Sequence, residues 1–320
     1  MTFHPDTLPD LKGKVFIVTG GNSGIGYHTV AHLAAHGAHV YLCARSPEKG
    51  KAAIASIKKT HPSAHKINLL QVDLKDLASV VAAAQRFLAL EPAMHGLVNN
   101  AGIMATPFEL TKDGHEAQWQ TNYLAHWVLT ERLLPLMLRT AKTLPAGSVR
   151  IVNLTSSGHL GAPKGGINFE DTSLKDGGIW PRYGQSKLAN VLHTKTLHRK
   201  YGPGSPSARN GQGEIWVSCV HPGIVETNLA TTVKESAVFT TVQAAIRMLR
   251  MASSADKGSW TSLFCAAGPE MKVEDCGGYH EIFRRWGELK WLSGDAKDGA
   301  LAERLEAWTE EVMRKEGWVE

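Results

Sequence analysis

The stretch from Val15 to His36 constrains this chain more than any other. Val15-Phe16-Ile17-Val18-Thr19 is a short apolar run, rich in β-branched and aromatic residues, and reads as a buried strand. It passes without a spacer into Gly20-Gly21-Asn22-Ser23-Gly24-Ile25-Gly26 and then into helix-like sequence. Glycines permit a tight turn and let a phosphate approach the backbone, and the following helix offers unpaired N–H groups at its start. Strand, glycine turn and helix in that order are the context that a dinucleotide-binding turn needs. A glycine-rich surface turn is the plain alternative, weakened because a second strand, Ala38 to Cys43, follows on schedule.

The second strand runs into Ala44-Arg45-Ser46. In dinucleotide folds an acidic side chain near this place holds the adenosine ribose hydroxyls. Here a guanidinium follows an alanine, and Arg45 suits a 2′-phosphate, which it can meet with a bidentate charged hydrogen bond. These residues favour NADP(H) as cofactor, with NAD(H) less favoured and a solvated surface arginine as the plain reading of Arg45.

Further along, Pro47 to Thr60 reads as a helix with Pro47 in its first turn. Ile67 to Val72 is a third strand ending at Asp73, and Asp76 caps a helix from Leu77 to Leu90. His95 to Val98 is a fourth strand closed by Asn99-Asn100-Ala101-Gly102. A long helix is expected from about Leu110 to Leu138, with Asn122 as a polar amide inside its amphipathic pattern. Val149 to Leu154 is a fifth strand, ending at Thr155-Ser156-Ser157-Gly158. Gly161 to Ile179 is a polar loop, after which Pro181 opens a helix reaching about Tyr201. Gly202 to Gly213 reads as a linker, and Ile215 to Val220 as a sixth strand stopped by His221-Pro222-Gly223. Beyond Thr227 the expected elements are a helix over Val238 to Met251, a short helix over Trp260 to Ala267 and an edge strand over Gly278 to Phe283. Leu301, Leu305, Trp308 and Val312 then share one stripe of an amphipathic helix spanning Ala300 to Arg314.

Six successive βα units predict an α/β fold: a three-layer Rossmann arrangement with a central, mainly parallel sheet between helices. No break divides the 320 residues, so a single domain is expected. Residues 227–292 would elaborate it around the substrate, and a C-terminal helix would cover 296–316. A net charge of +5, spread along the chain, brings no nucleic-acid motif with it. The 15 histidines show neither HExxH nor a close metal-binding cluster, so no metal is expected. No run of 18 apolar residues suggests a membrane span, and the polar start of the chain has no signal-peptide core. Four cysteines without a CxxC pair, two of them inside strand-like runs, fit buried thiols in a reducing compartment. A cytoplasmic protein is expected.

Tyr183 and Lys187, four residues apart, share one helix face. Alone, such a pair is ordinary. With the other motifs it carries a resemblance to the short-chain dehydrogenase/reductase family. Thr19 to Gly26 matches the TGxxxGxG cofactor motif, and Asp73-Leu74 the adenine-contacting pair. Asn99 to Gly102 matches NNAG, Asn122 the active-site asparagine, Ser156 the serine, and Tyr183 with Lys187 the YxxxK pair. Pro222-Gly223 matches the PG motif, with Val225 and Thr227 in the nicotinamide loop. Ser157 remains a minor alternative to Ser156, because Thr155, Ser156 and Ser157 are consecutive. Asn122-Tyr123-Leu124, Ser186 to Asn190 and His221-Pro222-Gly223 more narrowly resemble the retinol-dehydrogenase-like and WW-domain-oxidoreductase-like branch.

The resemblance implies a cofactor site at Gly20, Asn22, Ser23, Gly24, Ile25, Gly26, Arg45, Asp73, Leu74, Asn100, Ala101, Gly102, Tyr183, Lys187, Pro222, Gly223, Val225 and Thr227. It implies catalysis by Ser156, Tyr183, Lys187 and Asn122, with Tyr183 as acid or base and Ser156 orienting the substrate oxygen. Lys187 would lower the pKa of the phenol, and Asn122 would hold a water in a proton relay. The substrate would be a small hydrophobic ketone or alcohol of secondary-metabolite, polyketide, sterol or retinoid type. Its pocket would draw on Trp180, Phe239, Trp260 and Met271. Family members commonly pair through the helices after the fourth and fifth strands, which implies a homodimer or homotetramer. Two other readings use the same scaffold: a dinucleotide-binding interaction or sensor protein without turnover, and a dehydratase or epimerase.

Overall fold

The structure, a computed structural model, describes residues 3–225, 253–281 and 292–320. Seven strands form one sheet: β1 (Val15–Val18), β2 (His39–Ala44), β3 (Ile67–Gln71), β4 (Gly96–Asn99), β5 (Arg150–Leu154), β6 (Trp216–His221) and β7 (Tyr279–Glu281). Their order is β3-β2-β1-β4-β5-β6-β7 and every pair is parallel. The strands are apolar nearly throughout because helices cover both faces. The chain builds outward from β1 to β3, then returns to place β4 against the other side of β1. The carboxyl edge at that reversal is where open α/β sheets bind ligands.

On one face lie α1 (Gly24–Ala35), α2 (Pro47–Thr60) and a helix late in the chain. On the other lie α3 (Leu77–Leu90), α4 (Ala117–Trp119), α5 (Ala125–Lys142) and α6 (Ile179–Tyr201). Local signals account for the sharpest boundaries. Ser46 Oγ accepts the N–H of Lys49 ahead of Pro47, and Asp76 Oδ1 accepts the N–H of Ser79, each satisfying an unpaired donor of a first turn.

Several elements depart from expectation. The helix predicted from Leu110 begins at Ala117, because Leu110 and Glu116 pair across a tight turn through Gly114, which has φ 85°. Glu116 then caps α4 through the N–H of Trp119. Between α4 and α5 a π-turn, Gln120–Leu124, carries Asn122. The helix α6 starts at Ile179, two residues before Pro181, and the expected linker contains α7 (Pro206–Arg209).

The described part of the expected substrate region belongs to the central framework. The helix α8 (Ala255–Ala267) buries Leu263, Phe264 and Cys265 in the core on the α1 side, and β7 extends the sheet beside β6. Met271 is buried beside Arg150, at the amino end of β5 and so at the far edge of the sheet from the strand ends that bind ligands. Trp260 packs edge-on against His4. These contacts remove Met271 and Trp260 from the expected pocket. Phe239, Thr227, the helix expected over Val238 to Met251 and the end of the expected edge strand lie outside the described residues.

The chain finishes with α9 (Gly294–Lys297) and α10 (Gly299–Lys315). The predicted stripe of α10 docks on the same chain, burying Leu301 and Leu305. Glu306 comes with it and is 7% exposed. Burying a lone carboxylate costs several kcal/mol. Here Lys200 Nζ donates to Glu306 Oε1 at 2.6 Å and Trp127 Nε1 donates to Oε2 at 3.0 Å. Burial alone would raise the Glu306 pKa, but His193, Lys200 and the Trp127 hydrogen bond hold it below the usual range. Among the described residues no helix is long and apolar enough to cross a membrane. All four cysteines are free and buried.

Candidate active site

The carboxyl ends of β1, β4, β5 and β6 converge on one region, and Thr19 ties its parts together. Thr19 Oγ1 accepts the N–H groups of Asn100 and Ala101, both at 2.9 Å, while Asn100 Nδ2 donates to the Thr19 carbonyl at 2.7 Å. The glycine turn is thereby locked to the strand end after β4. Gly20, at φ 63°, lies against Ala101. A Cβ on Gly26 would stand 2.4 Å from the Gly20 carbonyl oxygen and 2.5 Å from Asn100 Nδ2. Ser23, the N-cap of α1, makes no side-chain hydrogen bond to the first turn, unlike Ser46 and Asp76 in α2 and α3. Donors at this helix start are left for an anion. A turn too tight for side chains, next to an uncapped helix start, fits a dinucleotide pyrophosphate.

Other expected cofactor positions border the same edge. Arg45 is exposed at the end of β2 with no ion pair among the described residues. Asp73 follows β3, its Oδ1 accepting the N–H of Lys75, and Leu74 is buried beside it. Pro222 and Gly223, the latter at φ 80°, follow β6, and Val225 packs near Gly258 and Ile25.

The four expected catalytic residues come together. Ser156 lies two residues past the end of β5, and its Oγ accepts the N–H of Gly158 at 3.0 Å. Gly158 lies between Ser156 Oγ and the Tyr183 ring; a Cβ there would be 2.6 Å from the ring. Thr155 turns away to donate to the Lys187 carbonyl at 2.7 Å, and Ser157 is exposed. Ser156 is therefore the hydroxyl beside the phenol. Lys187 Nζ donates to the Leu154 carbonyl at 3.2 Å and stands 5.8 Å from the Tyr183 ring centre. Asn122 is fully buried; its Oδ1 accepts the N–H of Ile103, and its Nδ2 donates to Ser186 Oγ and the Ile103 carbonyl. Gly102 leaves room for both Asn122 Oδ1 and Lys187 Nζ, each within 3.4 Å of where a Cβ would be.

Burial dominates the acid–base balance. It pushes the Tyr183 phenol up to about 12, with only the Ser156 hydrogen bond pulling the other way. It lowers Lys187 to about 8. A buried site disfavours both charges, which outweighs the expected pull of the ammonium on the phenol. Among the described residues no group of His, Cys, Asp and Glu is arranged to hold a metal.

Over 314 residues the chain is 51% identical to the Aspergillus calidoustus protein named "Short-chain dehydrogenase/reductase drtF", covering 97% of each chain. This chain belongs to the short-chain dehydrogenase/reductase family. The family model described as "short chain dehydrogenase" matches residues 14–169. An uncharacterized oxidoreductase of Schizosaccharomyces pombe is 40% identical over 314 residues, 96% of this chain and 86% of that one. The crystal structure of an uncharacterized Mycobacterium paratuberculosis protein superposes with a TM-score of 0.73 at 30% identity, covering 98% of each chain.

Within this short-chain dehydrogenase/reductase the geometry adds one residue that the sequence reading passed over. His126 bridges Thr19 and the Asn122 turn: Nε2 lies 2.8 Å from Thr19 Oγ1 and Nδ1 lies 3.1 Å from the Asn122 carbonyl. The carbonyl only accepts, so Nδ1 carries the proton and Thr19 donates to Nε2. Burial lowers His126 to about 4, in keeping with this neutral tautomer. A histidine one helical turn after Asn122 was the available signal.

Proposed function

We propose that this chain is an NADP(H)-dependent oxidoreductase that interconverts an apolar ketone or aldehyde and its alcohol. The observation that carries the reading is the approach of Ser156, Tyr183, Lys187 and Asn122 beside the glycine turn. When bound, the dinucleotide supplies or accepts the hydride. The protein handles the proton and the position of the substrate oxygen. Ser156 Oγ donates to that oxygen and fixes it near the phenol. The buried Tyr183 is held in its protonated form, which is what reduction needs from an acid. The reverse direction needs the phenolate, which the Lys187 ammonium favours. Asn122 anchors the loop at Ile103 to α6 through Ser186, and Gly102, having no side chain, leaves Lys187 Nζ room for a water.

The mouth supports an apolar substrate. Eight large hydrophobics are exposed among the described residues, and five of them (Phe108, Leu110, Leu160, Trp180 and Ile224) lie on segments that follow β4, β5 and β6. Single exposed hydrophobics are ordinary, but five on segments that leave the ligand-binding edge of the sheet favour an apolar substrate there. Arg45, exposed and unpaired, supports NADP(H) over NAD(H). Free buried cysteines support a reducing, cytoplasmic setting.

A panel of polycyclic, sterol-like and polyketide-like ketones, followed by NADPH absorbance, tests the reading. NADPH oxidation is expected with at least one apolar ketone. No turnover with any member, in either direction, overturns the proposal. With a substrate in hand, Arg45→Asp should lower the ratio of kcat/KM for NADPH over NADH about ten- to a hundredfold, the worth of a charged hydrogen bond at roughly 1.5–3 kcal/mol. An unchanged ratio removes Arg45 from the phosphate site.

We also infer that the chain works as one domain and that the α5–α6 face is not a subunit interface. The helix α10 and the residues after it cover it: Tyr123 Oη meets Thr309 Oγ1 at 2.7 Å, Trp127 and Lys200 hold Glu306, and Arg132 Nε donates to the carbonyl of Trp318 beyond the helix. Light scattering is expected to return the mass of one chain. A dimer whose contacts map to α5 and α6 would contradict this.

A further inference from the structure

At the first turn of α6, just before Tyr183, three buried polar side chains meet: Glu116, Gln118 and Arg182, at 1%, 0% and 4% exposure. None belongs to the cofactor turn or to the proton-handling group. Gln118 links two segments with one amide. Its Oε1 accepts the N–H of Ala105 at 2.8 Å and its Nε2 donates to the Ile179 carbonyl at 3.4 Å. Arg182 links two more. Its Nη1 donates to the Leu174 carbonyl at 3.2 Å, and its Nε lies 3.7 Å from Glu116 Oε1. The other oxygen of Glu116 caps α4. Phe108 stacks on the guanidinium at 5.5 Å.

The same network reaches two strained places. Ala105, at φ 51°, and Leu174, at φ 44°, are the non-glycine residues with left-handed backbones among the described residues. Side chains disfavour that region, and it persists only where surrounding contacts enforce it. One lies in the loop after β4 and the other in the loop before α6. Each is held by a different member of the network, Ala105 by Gln118 and Leu174 by Arg182. These loops also carry Phe108 and lead into Trp180, two exposed apolar residues.

We propose that Gln118, Arg182 and Glu116 form a clamp that holds both loops on the first turn of α6 and so sets the width of the substrate entrance. They are positioning residues that select substrate by size; Tyr183 and Ser156 handle the proton. The effect on turnover rests on the reductase reading above, but the coupling between the loops does not.

Hydrogen–deuterium exchange of the full chain separates the two. Gln118→Leu and Arg182→Met should each speed exchange about tenfold in both loops, residues 103–111 and 168–178, while β1 and α1 stay as in the parent. Adding Ala105→Gly to Gln118→Leu should restore part of the protection over 103–111, since glycine accepts the left-handed backbone. With 9,10-phenanthrenequinone as probe, KM should rise more than kcat falls, and NADPH affinity should stay unchanged. If each variant loosens only the loop it touches, the clamp is refuted. A parent protein that does not reduce the quinone counts against the reductase reading, and the exchange pattern still decides the clamp. Should Arg182→Met fail to fold, Arg182→Lys keeps the charge but loses the fork, and coupled loosening is again the expected result.

Discussion

Tyr183→Phe is expected to lower kcat about a hundred- to ten-thousandfold while leaving NADPH affinity within about threefold, the range that a positioned acid contributes. The ring is 5% exposed and packs against Gly158, contacts that phenylalanine repeats. Only the hydroxyl is removed, and its hydrogen-bond partner is Ser156. Fold and cofactor turn should therefore survive while proton transfer is lost. Steady-state kinetics together with a fluorescence titration of NADPH separates the two quantities. Turnover near that of the parent would show that the proton travels by another route.

The second large effect is expected at the glycine turn. Gly26→Ala places a methyl 2.4 Å from a backbone oxygen of Gly20 and 2.5 Å from Asn100 Nδ2. The oxygen cannot retreat without opening the turn, and Asn100 cannot swing away without losing its bond to the Thr19 carbonyl. Overpacking of this kind costs about 1–3 kcal/mol. If it falls on the bound state, NADPH affinity drops roughly five- to a hundredfold. Gly161→Ala is the matched control, because nothing lies within 4 Å of its added carbon. A calorimetric or fluorescence titration in which both variants bind as the parent does would show that the turn yields more easily than its contacts imply.

Much of this framework was legible in the residues, for physical reasons that can be named. The helix bounds of α2 and α3 were readable because Pro47 and Asp76 start them by local chemistry. The strands stood out because a sheet covered on both faces needs continuous apolar runs. Asn122, Ser156, Tyr183 and Lys187 were legible as a set from their motifs, and the fold places them in one region: Ser156 beside the Tyr183 ring, Lys187 5.8 Å from that ring's centre, and Asn122 beside Gly102 with Lys187. What escaped depended on distant partners. Met271 is apolar and falls in the region expected around the substrate, but the neighbour that fixes its place, Arg150, is 121 positions away. The start of α4 was misplaced although Gly114 offered a turn signal. Arg182 and Gln118 carried no local mark at all. The acid–base state of Tyr183 also required the fold, since burial raises the phenol and only the Ser156 hydrogen bond pulls it down.

The π-turn at Gln120–Leu124 ties two distant parts of the protein to one piece of bookkeeping. It inserts one residue relative to a regular helix. The wide turn absorbs that residue locally, so α5 keeps its rotation relative to α4. A residue inserted after Ala125, in regular helix, would instead rotate everything beyond it by about 100°. His126 would then swing away from Thr19, and Trp127, next in sequence, away from Glu306. A single insertion there would thus unfasten the cofactor turn and the C-terminal helix together. Length at the start of α5 should be far less free to vary than length in the polar loop before α6. An insertion scan across both segments, read by soluble yield, would show that contrast directly.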